Sequence, residues 1–191
     1  MIQQKHLYLF IASLISLLVS CSGKMDKAEY AKWVKDYDHG LHAHIAKGAY
    51  IFDLQYLPPE YKWLQEGHGQ PMEALPEESP IEYYILKVGF KDHSIDLIKG
   101  VSEDKNVWEQ RAYYFSYQFQ DNISLEQDGK HYPCVMFHFE KAFDLRAERN
   151  FVLGFAATHA EKSILVIDSP AFGEETIKIT INKEDIPTVD L

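Results

Sequence analysis

The chain has 191 residues, 46% of them hydrophobic and 14% aromatic, which is enough to build a core and excludes a disordered polypeptide. Its formal charge is −10. An acidic surface repels phosphate backbones and anionic head groups, so the expected partners do not include nucleic acid.

In chain order, the first feature is a short polar start carrying Lys5, followed by an uncharged run over 7–19, LYLFIASLISLLV. About 13 apolar or small residues are too few to cross roughly 30 Å of hydrocarbon, but they suit the apolar region of a secretory leader. The next residues, Leu18-Val19-Ser20-Cys21, resemble the bacterial lipobox. That resemblance implies cleavage before Cys21, a diacylglyceryl group on its thiol and an acyl group on the new amine. It also implies a cell-envelope location, with the outer membrane as the expected address and the periplasmic or surface face left open. Two or three acyl chains hold a protein at a bilayer far more firmly than one, because each buried methylene contributes about 0.8 kcal/mol. An uncleaved helix, or an ordinary leader with a chance cysteine, remains the alternative. The expected division is therefore a leader over 1–20, lipidated cysteine and tether over 21–25, and one β-rich domain over 26–191. No other cofactor is expected.

Asp26-Lys27-Ala28-Glu29 fits a capping box and predicts a helix over 27–38, with Tyr30, Trp33, Val34 and Tyr37 at helical spacing and Gly40 as terminator. A strand is predicted over 46–56, with Tyr50, Phe52, Leu54 and Tyr56 on one face. Pro58-Pro59 ends it and opens a short helical turn over 60–65. The Gly- and Pro-rich stretch 66–80 reads as a loop, and 81–91 as a strand. A helix over 103–111 is expected next, then a strand over 113–120 in which Tyr113, Phe115, Tyr117 and Phe119 alternate with polar positions. Further strands are expected over 123–126, 132–140, 151–157, 163–168 and 176–181, with Asp128-Gly129 as a hairpin turn. Seven or eight short strands with two or three helices in the N-terminal half indicate a mainly β fold. The expected architecture is an antiparallel β-sandwich-like domain; the alternative is an α+β fold with one antiparallel sheet under helices.

Chemistry-bearing residues are sparse. His42-Ala43-His44 puts two imidazoles on one face of an extended segment, and His138-Phe139-Glu140 does the same with an imidazole and a carboxylate, with His131 nearby. Nitrogen and oxygen ligands of this kind suit zinc and would support a metal-assisted hydrolase. No spacing forces them to converge, and a solvated strand face explains His138 and Glu140 equally well. Cys134 lies in an apolar run and reads as a buried thiol rather than a nucleophile with His131 or His138 as base. Tyr56, Tyr61 and Tyr114 are candidate binding residues, Tyr114 together with Gln118 and Gln120 forming a polar-aromatic surface for a sugar or a protein.

Gly40-Leu41, the run Tyr50-Ile51-Phe52-Asp53-Leu54-Gln55-Tyr56-Leu57-Pro58-Pro59-Glu60-Tyr61, and Cys134-Val135-Met136-Phe137-His138-Phe139-Glu140 resemble small lipoproteins of Bacteroidota-type bacteria. The resemblance implies the envelope address and transfers no catalytic residue. A non-catalytic domain that binds an envelope protein or a glycan, or serves envelope assembly, is the leading expectation.

Overall fold

The computed structural model describes residues 24–66, 81–140, 146–157 and 160–190, so Cys21 and the expected loop beyond residue 66 lie outside the described residues. The first half contains α1 (Lys27–Lys35), β1 (His42–Lys47), β2 (Tyr50–Leu57), α2 (Pro59–Glu66) and β3 (Glu82–Phe90). The second contains α3 (Lys105–Tyr117), β4 (Ile123–Gln127), β5 (Lys130–Phe139), β6 (Arg149–Phe155), β7 (Lys162–Ile167) and β8 (Ile177–Asn182).

The strands form one eight-stranded antiparallel sheet in the order β1-β2-β3-β6-β5-β4-β7-β8, and it curls into a nearly closed barrel. The expected sandwich is thereby corrected. Two features defeat a division into facing sheets. Strand β5 pairs with β4 through its first residues and with β6 through its last, and a register shift between Cys134 and Met136 leaves Val135 turned outward. A bulge of this kind bends a strand and raises its twist, so β5 turns the corner instead of ending a sheet. At the other side, β8 returns to β1. The Asn182 amide donates to the Gly40 carbonyl at 3.1 Å, and Lys47 pairs with Glu175 at the far end of the seam. Gly40 has φ 76°, and a Cβ there would meet the Asn182 carbonyl oxygen at 2.9 Å, so both backbone conformation and close approach favour glycine at the seam.

Local chemistry accounts for most boundaries. The Asp26 carboxylate accepts from the amides of Ala28 and Glu29 at 2.8 and 2.9 Å, capping α1. The helix stops at Lys35, short of the expected end, because Asp36 is extended and caps a separate 3₁₀ turn, Tyr37–His39. The strand expected over 46–56 is a hairpin, β1 and β2, turning at Gly48 with φ 56°. Asp128 and Gly129, with φ 49° and 73°, supply the turn between β4 and β5. The strand expected over 113–120 is instead the end of α3. Tyr113 and Tyr117, and Phe115 and Phe119, alternate as a strand would, but each pair is also spaced i, i+4. The second reading wins because Phe115 and Phe119 are both fully buried while Tyr113 and Tyr117 face solvent together, their centroids 5.2 Å apart.

The barrel is filled by side chains, as eight strands allow. Its upper end, where β2, β4, β6 and β8 begin, is plugged by aromatic rings from α3 and the β7–β8 connection. Phe119 sits 5.4 Å from Phe115, 5.0 Å from Phe151 and 5.7 Å from Phe172. The lower end, where β3 and β7 begin and β2, β4 and β8 finish, lies beside α1 and α2. There the N-terminal segment is stitched to the C-terminal one: the Met25 amide donates to the Thr188 carbonyl at 2.9 Å and the Asp190 amide to that of Met25 at 3.0 Å.

Candidate functional site

The residues proposed as metal ligands do not converge. His42 sends Nε2 to the Val34 carbonyl at the end of α1, 2.9 Å away, and stacks on Tyr37; burial holds its pKa below the ordinary imidazole value. His44 instead pairs with Asp53 across the β1–β2 ladder at 2.6 Å. His131 lies 4.0 Å from Glu126 on β4, His138 stands opposite Val152 on β6, and Glu140 accepts from Asn150 at 2.9 Å. Among the described residues no group of three His, Cys, Asp or Glu is placed to hold a metal ion. Cys134 is buried, donates its thiol hydrogen to the Met136 carbonyl at 3.1 Å, and is pushed by burial up to about 11, which keeps it a thiol at neutral pH.

The tyrosine candidates separate into core and surface. Tyr56 and Tyr61 are almost fully buried and offer no surface to a ligand. Tyr114 projects from α3 into an open groove of about 360 Å³. Val107, Gln110, Arg111 and Tyr114 of α3, with Gln118 just past its end, form one wall, and Pro170 and Ala171 form the other. The helical spacing 107, 110, 111, 114, 118 is that of one face of α3, beside the stripe that carries the exposed Tyr113 and Tyr117, which are 58% and 66% exposed. The Tyr114 hydroxyl donates to Asn122 Oδ1 at 2.7 Å and meets Ser169 Oγ at 2.6 Å, so the ring is held rather than free to swing. Arg111 donates through Nε and Nη2 to the Leu97 carbonyl at 3.2 and 3.0 Å while lying over the Phe115 ring. The lining thus offers carboxamides, a phenol and a guanidinium but no carboxylate, on a strongly acidic protein. Gln120, expected beside Tyr114, faces elsewhere and donates to the Cys134 carbonyl at 2.8 Å.

A second cluster escaped sequence reasoning entirely. At the lower end of the barrel, Glu82 on β3 is fully buried. Lys183, which follows β8, donates to its two oxygens at 2.8 and 2.9 Å. Gln127 Nε2 on β4 lies 3.0 Å from both oxygens and 2.8 Å from Ser163 Oγ on β7, and the Tyr84 hydroxyl donates to Glu82 at 2.6 Å. The Lys183 ammonium also lies 5.0 Å over the Tyr56 ring. Burial lowers the Lys183 pKa against the pull of Glu82, and raises those of Tyr84 and Tyr56. In sequence these residues are 101 positions apart at the extremes. The one available hint was that Glu82, Gln127 and Ser163 each fall on the inward register of a strand otherwise carrying apolar residues.

Among the described residues no helix is long and apolar enough to cross a membrane. Comparison of the chain with family models, curated proteins and solved structures found no match in any of the three.

Proposed function

We propose that this protein is a lipid-anchored cell-envelope protein whose barrel binds a neutral glycan, without catalysis, in the groove between α3 and the β7–β8 connection. The observation that carries the reading is the pair of solvent-facing tyrosines, Tyr113 and Tyr117, beside a groove lined by Gln110, Tyr114 and Gln118 and free of carboxylates. Tyrosine faces stack on the C–H faces of pyranose rings, and carboxamides both donate to and accept from hydroxyls.

The placement of the ends supports the same reading. Met25 is stitched into the lower end of the barrel, and four residues of chain from Cys21 reach at most about 14 Å. An anchor at Cys21 would hold the lower end toward the bilayer and turn the groove, at the upper end, outward.

Two measurements test the two halves of this proposal. Metabolic labelling with a fatty-acid analogue should mark the chain and shift it to the membrane fraction, and Cys21→Ser should abolish both; an unlabelled wild-type chain would remove the anchor. Titration of the Cys21→Ser protein with neutral oligosaccharides, followed by calorimetry, should show binding that Tyr117→Ala weakens about tenfold. Failure to bind any neutral glycan, with retrieval of a protein cross-linked through a photoreactive side chain at position 117, would replace the glycan by a protein partner.

A further inference from the structure

We propose that the barrel staples itself: Lys183 and Gln127 condense to an intramolecular isopeptide bond, with Glu82 moving the protons. A structural ion pair needs only an acid and a base. Here a carboxamide enters the same carboxylate fork, so that the amine and the carboxamide nitrogen share one proton carrier. Lys183 Nζ is 2.8 and 2.9 Å from the Glu82 oxygens and Gln127 Nε2 is 3.0 Å from both. All three residues are buried, Glu82 and Gln127 at 1% exposure and Lys183 at 9%. No substrate cavity is required, because both reactants belong to the chain.

The chemistry balances without an outside reagent. As the first step of the reaction, Lys183 passes one proton to Glu82 within the pair, leaving a neutral amine and a neutral acid. The amine lone pair attacks Gln127 Cδ, forming the new N–C bond and an oxyanion. Glu82 gives its proton to the Gln127 nitrogen and takes one from the attacking nitrogen. The oxyanion collapses, the Cδ–Nε2 bond breaks, and ammonia leaves. The products are a secondary amide and ammonia, with the remaining proton on Glu82 or carried off as ammonium. Exclusion of water from the site protects the oxyanion from competing hydrolysis. The Tyr84 hydroxyl, donating to Glu82 at 2.6 Å, holds the carboxyl in place, and the Tyr56 ring beneath Nζ keeps the amine in register. The resulting bond joins the end of β4 to the residue after β8, spanning β7 between them.

Intact-mass spectrometry of the full chain as purified from its own envelope tests this directly. The expected mass is about 17 Da below that of the processed sequence, the loss of one ammonia. Tandem spectra should show a branched peptide containing residues 127 and 183, with no tryptic cleavage after Lys183. Lys183→Arg keeps the ion pair but is a poor nucleophile, and should return the full mass, as should Glu82→Gln. A wild-type chain of full mass, folded by circular dichroism, would overturn the proposal and leave a structural ion pair. So would a loss of the same size that hydroxylamine reverses, which would place an ester between Ser163 and Gln127 instead.

Discussion

Replacing Glu82 with alanine is expected to lower the unfolding free energy by about 3–5 kcal/mol. Glu82 is fully buried and is the common acceptor for Lys183, Gln127 and Tyr84, so its removal leaves the buried Lys183 ammonium without its anion and takes one acceptor each from Gln127 and Tyr84. The Lys183 side chain, 5% exposed, has no route by which its charge reaches solvent without opening the lower end of the barrel. Urea denaturation should show a lower midpoint. The companion variant Glu82→Ala/Lys183→Met should recover most of the loss relative to Glu82→Ala, because it removes the orphaned charge along with its partner. Its remaining deficit against wild type measures what the intact pair, linked or unlinked, contributes over an apolar substitute. A Glu82→Ala protein within about 1 kcal/mol of wild type would show that Lys183 is not held in the barrel.

Phe119→Ala should cost a similar amount, about 3–5 kcal/mol, for a different reason. Phe119 belongs to the 3₁₀ turn Phe119–Asn122 that follows α3, and its ring meets those of Phe115, Phe137, Phe151 and Phe172 at the upper end of the barrel. Truncation leaves a cavity bounded by these rings and that of Tyr114, borne on α3, β5, β6 and the β7–β8 connection, which a barrel of fixed circumference closes poorly. Phe119→Leu, which retains most of the volume, should cost much less. The near-ultraviolet circular dichroism should weaken in the alanine variant, since the rings lose their common packing. Because α3 carries the groove on its adjacent face, the same variant should also loosen Tyr114 and reduce ligand binding. If Phe119→Ala unfolds at the wild-type midpoint, the upper plug does not hold α3 to the barrel.

The two sites differ in how far they could be read from the chain. Asp26 with Glu29, Pro58-Pro59 and Asp128-Gly129 mark boundaries through interactions within a few residues, and they occupy a helix cap, a strand end and a hairpin turn as their local chemistry requires. The inward alternation of Ile177, Ile179 and Ile181 made β8 legible in the same way. Where two periods coincide, local pattern was silent: Tyr113, Phe115, Tyr117 and Phe119 satisfy both strand and helix spacing, and only the docking of Phe115 and Phe119 against Phe151 decides for the helix. Tyr114, on a strand by the alternating pattern, lies on α3, with Gln118 beside it and Gln120 turned away.

By itself the sequence determined composition, charge, a mainly β chain and the lipobox-like stretch ending at Cys21, since each depends on residues that are neighbours along the chain. Closure of the barrel, and the meeting of Glu82, Gln127, Ser163 and Lys183, were decided only in three dimensions. A bulge at Val135 bends β5 from β4 to β6, a carbonyl at Gly40 joins the first strand's approach to the end of the last, and inward-facing positions on β3, β4 and β7 meet Lys183 only once those strands surround a common interior.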